Sequence, residues 1–125
     1  MKTCPFCQKL ASKDLLRETL LAAALVDAYP ISPGHMLVVP KRHVDDFFDL
    51  SNEERLSIWE LVETIRKQIQ ADKSPDGFNI GINAGAAAGQ TVPHAHVHII
   101  PRFEGDREDP RGGIRWILPE KAKYW

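Results

Sequence analysis

The sequence predicts an α+β domain: an antiparallel sheet with one long helix packed on a face. Three observations carry that expectation: a capped stretch of helical periodicity, short segments alternating with period two, and turn residues between them. The helix is the clearest element. Ser51 followed by Glu54 reads as a capping box, and Glu53 and Glu54 place negative charge in the first turn, where the helix dipole favours it. Ile58, Leu61, Val62, Ile65 and Ile69 then recur at three- and four-residue spacing and make one apolar face. Lys73-Ser74-Pro75-Asp76-Gly77 closes the element, so the helix is expected from about Asn52 to Ala71.

The strands follow from alternation. Phe78, Ile80 and Ile82 alternate with Asn79, Gly81 and Asn83, the pattern of a half-buried strand. His94 to Ile100 alternates again and is expected to end at Pro101. His35 to Val39 reads as a strand between Pro33-Gly34 and Pro40. Leu15 to Asp27 is ambiguous: its Leu and Ala content favours helix, while Tyr29-Pro30 and Ser32-Pro33-Gly34 suit a turn between strands. Arg102 to Gly113 is charged and rich in Gly and Pro, a surface loop leading to an expected short strand at Ile114–Leu118.

Composition narrows the function classes. With 125 residues, no repeat and no linker, residues 1–125 are expected to form one domain. Apolar residues make up 43% and charged residues 26%, an ordinary globular mixture. A net charge of −1 gives no general attraction to nucleic acid or anionic lipid, so any phosphate recognition has to be local. The start has no apolar leader, and the longest apolar run, Leu20 to Val26, is too short for a bilayer. Two cysteines fit a reducing compartment, and a cytoplasmic location is expected.

The chemistry concentrates in His94-Ala95-His96-Val97-His98. On a strand, alternate residues share a side, so three imidazoles line one face while Ala95, Val97 and Ile99 face the core. Such a face suits either a zinc site with an open position or nucleophilic catalysis by one imidazole oriented by its neighbours. The small-residue loop Gly85 to Gln90, with Thr91 beside it, favours the second reading. Its backbone can approach a ligand closely and cradle phosphate through N–H groups.

Gln90-Thr91-Val92-Pro93-His94-Ala95-His96-Val97-His98-Ile99-Ile100-Pro101 resembles the signature of the histidine-triad (HIT) superfamily. Pro30 to His43 and Asn79 to Gly85 are similar to the family as well, so the resemblance covers about Asp27 to Arg102. It implies a HIT-like fold: a five-stranded antiparallel sheet with one long helix and a short one, in which Leu20 to Asp27 is a strand. It further implies a homodimer whose sheets join into one of ten strands, as in the Hint and Fhit branches. By position, His96 resembles the nucleophile that attacks the α-phosphorus of a purine, and most simply an adenosine, nucleotide. The bond cleaved would be a phosphoanhydride or phosphoramidate. His98 looks like the phosphate-oxygen ligand, and His35 lies where the family places another active-site histidine. Asn83, Gln90 and Thr91 match positions that bond the phosphate or leaving group, and Asp27 matches a ribose-binding position. The Gly89–Thr91 backbone is a further candidate phosphate donor.

Each assignment has an alternative: Asn83 and Thr91 as strand-end bonders, His35 as a supporting residue, Asp27 as a turn former. Cys4 and Cys7 form a Cys-x-x-Cys pair that is redox-active, metal-binding or incidental by itself. His43 and His94 would complete a closed Cys₂His₂ zinc site, which bacterial members resembling this chain often carry; His94 would then anchor the triad strand. Asp109 to Trp116 resembles the tail of a bacterial subgroup described as diadenosine tetraphosphate hydrolase-like. There Arg102, Arg107, Arg111 and Arg115 either reach distal phosphates or are simply solvated, and Trp116 and Trp125 pack in the core or at a dimer surface. Two other functions share these residues: a nucleotide-binding sensor with little turnover, and a zinc hydrolase with the triad as ligands.

Overall fold

The structure, a computed structural model, describes residues 3–125. Its sheet has five antiparallel strands: β1 (Arg17–Glu18), β2 (Ala22–Val26), β3 (Met36–Pro40), β4 (Gly77–Gly81) and β5 (Val97–Arg102), in the order β1-β2-β3-β5-β4. Helices are α1 (Pro5–Ala11), α2 (Asn52–Lys73) and α3 (Pro119–Ala122). No helix among the described residues is long and apolar enough to cross a membrane.

The long helix forms for the expected reasons. The Ser51 hydroxyl accepts from the Glu54 amide at 3.1 Å while the Glu54 carboxylate accepts from the Ser51 amide at 2.9 Å, closing the capping box. Glu54 also receives Arg42 at 2.8 and 3.0 Å, and the Arg42 guanidinium holds its carboxyl well below the usual range, at about 2. Ser74, in the left-handed region, stops the helix. Ile58, Leu61, Val62, Ile65 and Ile69 bury against Ala22, Ala24, Val38, Ala95, Val97 and Ile99 on one sheet face. Each fully buried Leu, Ile or Val there contributes about 1.5–3 kcal/mol. The opposite face is half covered by α1, which starts at Pro5 behind a Cys4 cap and packs Phe6 with Ala23, Leu25, Leu37 and Val39.

One ambiguity is resolved as the family resemblance implies, and two local expectations change. Leu15–Asp27 resolves to strand: Ala22–Val26 pairs with Met36–Pro40 in register Ala24↔Val38, and four residues of β2 are fully buried. Burial on both sheet faces overrides the helix propensity of Ala and Leu. β5 begins at Val97 rather than His94 and runs through Pro101. The β3 ladder ends at Met36↔Ile99, so the missing Pro101 amide removes no bond on that side. Ile114–Leu118 is not a strand; Gly113–Ile117 is a 3₁₀ turn. Gly112 and Gly113 have φ of 94° and 47°, and the amides of Gly113, Arg115 and Leu118 bond locally to Pro110, Gly112 and Arg115.

Candidate active site

Antiparallel register places the histidines on the face opposite α2. Ala95, Val97 and Ile99 face the helix, so His94, His96 and His98 emerge on the other side, with His98 opposite Leu37 of β3 and Gly81 of β4. The three rings then take different partners, and the hydrogen bonds fix which nitrogen of each carries a proton.

His94 turns toward α1. Its Nε2–H donates to the Pro40 carbonyl at 2.8 Å, which leaves the Nδ1 lone pair facing Cys4 Sγ at 3.4 Å, Cys7 Sγ at 3.6 Å and His43 Nδ1 at 3.2 Å. His43 Nδ1 is 3.2 Å from Cys7 Sγ, with Nε2 3.3 Å from the Asp45 carboxylate. All four ligand atoms lie within 4.8 Å of one another. A tetrahedral zinc with bonds of about 2.0–2.1 Å to nitrogen and about 2.3 Å to sulfur requires ligand separations of about 3.3–3.8 Å. The donor set and its spacing fit that ion.

His96 sits over the protein interior. Its Nδ1–H donates to the His94 carbonyl at 2.8 Å, so the neutral ring carries its lone pair on Nε2. Phe6 meets the ring edge-on at 5.1 Å between centroids, and His98 meets it at the same distance. Nε2 has no hydrogen-bond partner among the described residues.

His98 is oriented by a relay. The Ile31 amide donates to His35 Nδ1 at 3.2 Å, so His35 carries its proton on Nε2; that N–H donates to His98 Nδ1 at 3.0 Å, and His98 is left with an Nε2–H donor. Asp27 Oδ2 lies 3.4 Å from His35 Nε2 and 3.8 Å from His98 Nδ1. Asp27, His35 and His98 are close enough to grip a metal, yet the Ile31 amide puts the His35 proton where the metal would need a lone pair. The triad itself is not one ligand set among the described residues: His94 Nδ1 faces Cys4, Cys7 and His43, while His98 Nδ1 faces Asp27 and accepts from His35. The zinc-hydrolase reading with the triad as ligands is therefore corrected.

Burial pushes His35, His94 and His98 below the usual histidine range, with His96 and His35 adding to the effect at His98 and Asp27 opposing it at His35. Folding thus favours the neutral rings. Their contribution is complete above the unfolded pKa of about 6.5 and is lost as pH falls below it. Tm is expected to stay level from about pH 8 to about pH 7 and to fall steadily toward about pH 5. A thermal-melt series that is flat down to about pH 5 contradicts neutral, buried imidazoles.

His35 and His98 open onto a cavity of about 880 Å³, lined also by Asp27, Ile31, Asn83, Ile100 and the C-terminal segment from Asp106 to Ile117. That is toward the upper end of small-molecule sites, about 300–1,000 Å³. The HIT domain family matches residues 8–105 of this chain. The chain belongs to the HIT family. A bis(5′-nucleosyl)-tetraphosphatase [asymmetrical] from Schizosaccharomyces pombe is 47% identical over 88 residues, covering 70% of this chain and 48% of that protein. An adenosine 5′-monophosphoramidase, hnt1, from the same organism is 37% identical, covering 97% of this chain and 91% of its own. A crystal structure of a Zn-bound histidine triad family protein from Mycobacterium smegmatis superposes with a TM-score of 0.79 at 32% identity, covering 86% and 81% of the two chains. The chain spans about half to two thirds of the longer curated relatives.

In this HIT domain the other expected site residues divide. Asn83 lines the cavity. Asp27 does so while also capping the turn, accepting from the Tyr29 amide at 2.7 Å, as its turn-former reading expects. The Gln90 side chain instead braces its loop, accepting from the Gly85 amide at 2.9 Å and donating to the carbonyls of Asp45 and Val92. The phosphate cradle expected of Gly89 and Gln90 amides is also corrected. They donate to Ala86 and Gly85 carbonyls within the loop, and Gly89 serves a left-handed turn at φ 95°. Thr91 is exposed, and its hydroxyl has no partner among the described residues. Sequence reasoning missed Phe6, the Ile31 amide and the Pro40 carbonyl, which orient the rings; only Phe6 left a trace, as the apolar residue behind Cys4-Pro5.

Proposed function

We propose that residues 1–125 act as one HIT domain that cleaves a phosphoanhydride or phosphoramidate at the α-phosphorus of a purine, most simply adenosine, nucleotide. The observation that carries this reading is the proton arrangement. His96 keeps a lone pair on Nε2 and its ring lies 5.1 Å between centroids from that of His98, which keeps an Nε2–H donor and itself lines a cavity large enough for a nucleotide. In the first step His96 Nε2 bonds to the α-phosphorus, and the bond to the leaving group breaks with its electron pair. Positive charge develops on the His96 ring, and the Nδ1–H bond to the His94 carbonyl strengthens against it. His98 Nε2–H, with Asn83 and the Thr91 hydroxyl, meets the negative charge on the phosphoryl oxygens. An amine leaving group takes up a proton from solvent, balanced by the proton that the attacking water later releases to solvent; a nucleoside phosphate leaves as the anion. Water then attacks the same phosphorus, the P–Nε2 bond breaks back onto nitrogen, and the nucleoside monophosphate departs.

Zinc belongs to this reading as a structural ion on Cys4, Cys7, His43 and His94, fixing the residue whose carbonyl sets the His96 tautomer. A homodimer joined through β4, whose outer edge is unpaired in the sheet and whose Ile80 is 37% exposed, would give the continuous ten-stranded sheet. A cytoplasmic enzyme without nucleic-acid or membrane partners is consistent with the balanced charge.

The test is turnover of adenosine phosphoramidates and dinucleoside polyphosphates side by side, with AMP release expected from at least one class. AMP binding without release of product from either supports the sensor function instead. In this reading the Asp27 carboxylate, which already accepts from the Tyr29 amide and lines the cavity, accepts from ribose hydroxyls. Calorimetry is expected to show wild type binding AMP about tenfold more tightly than dAMP, with Asp27→Ala erasing most of the difference. Equal wild-type affinities refute the ribose contact.

A further inference from the structure

Four arginines lie between the end of β5 and the 3₁₀ turn at Gly113–Ile117, two of them, Arg102 and Arg107, lining the cavity, and three of the four are already occupied. Arg102 makes two bonds of 2.8 Å to the Asp106 carboxylate and one of 2.7 Å to Asn79. Arg111 holds Asp109 at 2.9 Å beneath its stack on Trp125. Arg115 donates to the carbonyls of Ala122 and Lys121 at 2.9 and 2.8 Å. Arg107 differs. It has no hydrogen bond or anionic partner among the described residues, and its guanidinium lies 4.8 Å over the Trp116 ring. Trp116 is itself fixed, donating from Nε1 to the Arg111 carbonyl at 2.8 Å. Both residues line the cavity that holds Asp27, His35 and His98. A neighbouring hollow that Arg107 and Trp116 also line carries Glu108, Asp109 and Lys123, of which Asp109 is held by Arg111.

Stacking engages the face of a guanidinium and leaves the N–H donors at its edge free, the geometry that suits phosphate. It also holds a long side chain in one place, so less freedom is lost when a ligand binds. We propose that Arg107, carried on Trp116 at the rim of the cavity, binds the distal phosphates of a nucleoside polyphosphate leaving group. Resting on the hydrolase reading above, this assigns the domain to polyphosphate substrates over phosphoramidates. An amine leaving group offers the guanidinium nothing, whereas a nucleoside polyphosphate offers several negative charges.

The experiment compares kcat/KM for diadenosine tetraphosphate with kcat/KM for adenosine 5′-phosphoramidate, in wild type, Arg107→Gln and Arg107→Lys. The ratio of the two values is expected to fall about 10- to 100-fold in Arg107→Gln, the range for a lost charge-assisted hydrogen bond. Arg107→Lys is expected to recover part of it, since it keeps the charge but loses the planar fork. A structural role for Arg107 would lower both activities together and leave the ratio unchanged; an unchanged ratio, with or without loss of activity, overturns the proposal. Wild type that cleaves neither substrate overturns the hydrolase reading and the Arg107 assignment with it.

Discussion

Replacing His96 with alanine is expected to lower kcat/KM roughly 10⁴-fold or more while the protein still folds. The imidazole touches Phe6 and His98 at its edges, and its one hydrogen bond is to a backbone carbonyl, so its removal leaves a small void at the end of the α1 cluster. That void costs about 1–3 kcal/mol, within what most domains tolerate. What cannot be replaced is the Nε2 lone pair. Water entering the void has no fixed base to activate it, because the proton relay through His35 ends on His98 as a donor. His98→Ala removes one preformed donor and is expected to cost less, about 10²–10³-fold. Near-native activity of His96→Ala, with a melt within a few degrees of wild type, contradicts a nucleophilic role.

The largest stability effect is expected at the Cys–His cluster. Purified protein should hold about one zinc per chain, since a closed four-ligand site binds tightly. Replacing Cys4 and Cys7 together with serine should remove it and lower Tm by roughly 10 °C or more, the effect of about 3 kcal/mol in a chain of this size. Without an ion, burial and the Cys4 thiol push the Cys7 thiol up, against the thiolate that zinc needs. The functional consequence runs through His94, whose ring sits in the cluster and whose carbonyl holds His96 Nδ1. The double variant should therefore lose kcat more than it raises KM. Elemental analysis showing no zinc, together with an unchanged melt, rejects the site.

Much of this was legible in the residues, for reasons that differ by element. The α2 boundaries follow from local chemistry, the Ser51–Glu54 box and a Pro75-Asp76-Gly77 stop, and the helix exceeds its expected end by only two residues, Asp72 and Lys73. The face of the triad follows from period-two alternation, which holds from Ala95 although the ladder starts only at Val97. Strand β2 was ambiguous by propensity, and implied only by the family resemblance, because Ala22, Ala23 and Ala24 carry a helical propensity that only burial between two layers reverses. The turn at Gly113–Ile117 was hidden because Ile114, Trp116 and Leu118 mimic an alternating strand, while two left-handed glycines decide the outcome.

The site shows the same division. Period-two spacing brings out His94, His96 and His98, the Cys-x-x-Cys pair with the remaining histidines brings out the Cys₂His₂ set, and the family resemblance brings out His35. Backbone groups carry no sequence signal, so the Ile31 amide and the Pro40 and His94 carbonyls, which decide every proton position, emerge only from the fold. For the same reason the Gly89 and Gln90 amides looked available in sequence and are engaged within their loop.

The central claim is that phosphorus passes through a covalent bond to His96, and stereochemistry at that atom tests it most directly. A substrate made chiral at the α-phosphorus by sulfur substitution, hydrolysed in oxygen-labelled water, gives a thiophosphate product of measurable configuration. Attack by His96 followed by attack of water inverts the centre twice, so the account predicts overall retention. A product of inverted configuration would show that water displaces the leaving group in a single step, and would contradict the role assigned to His96.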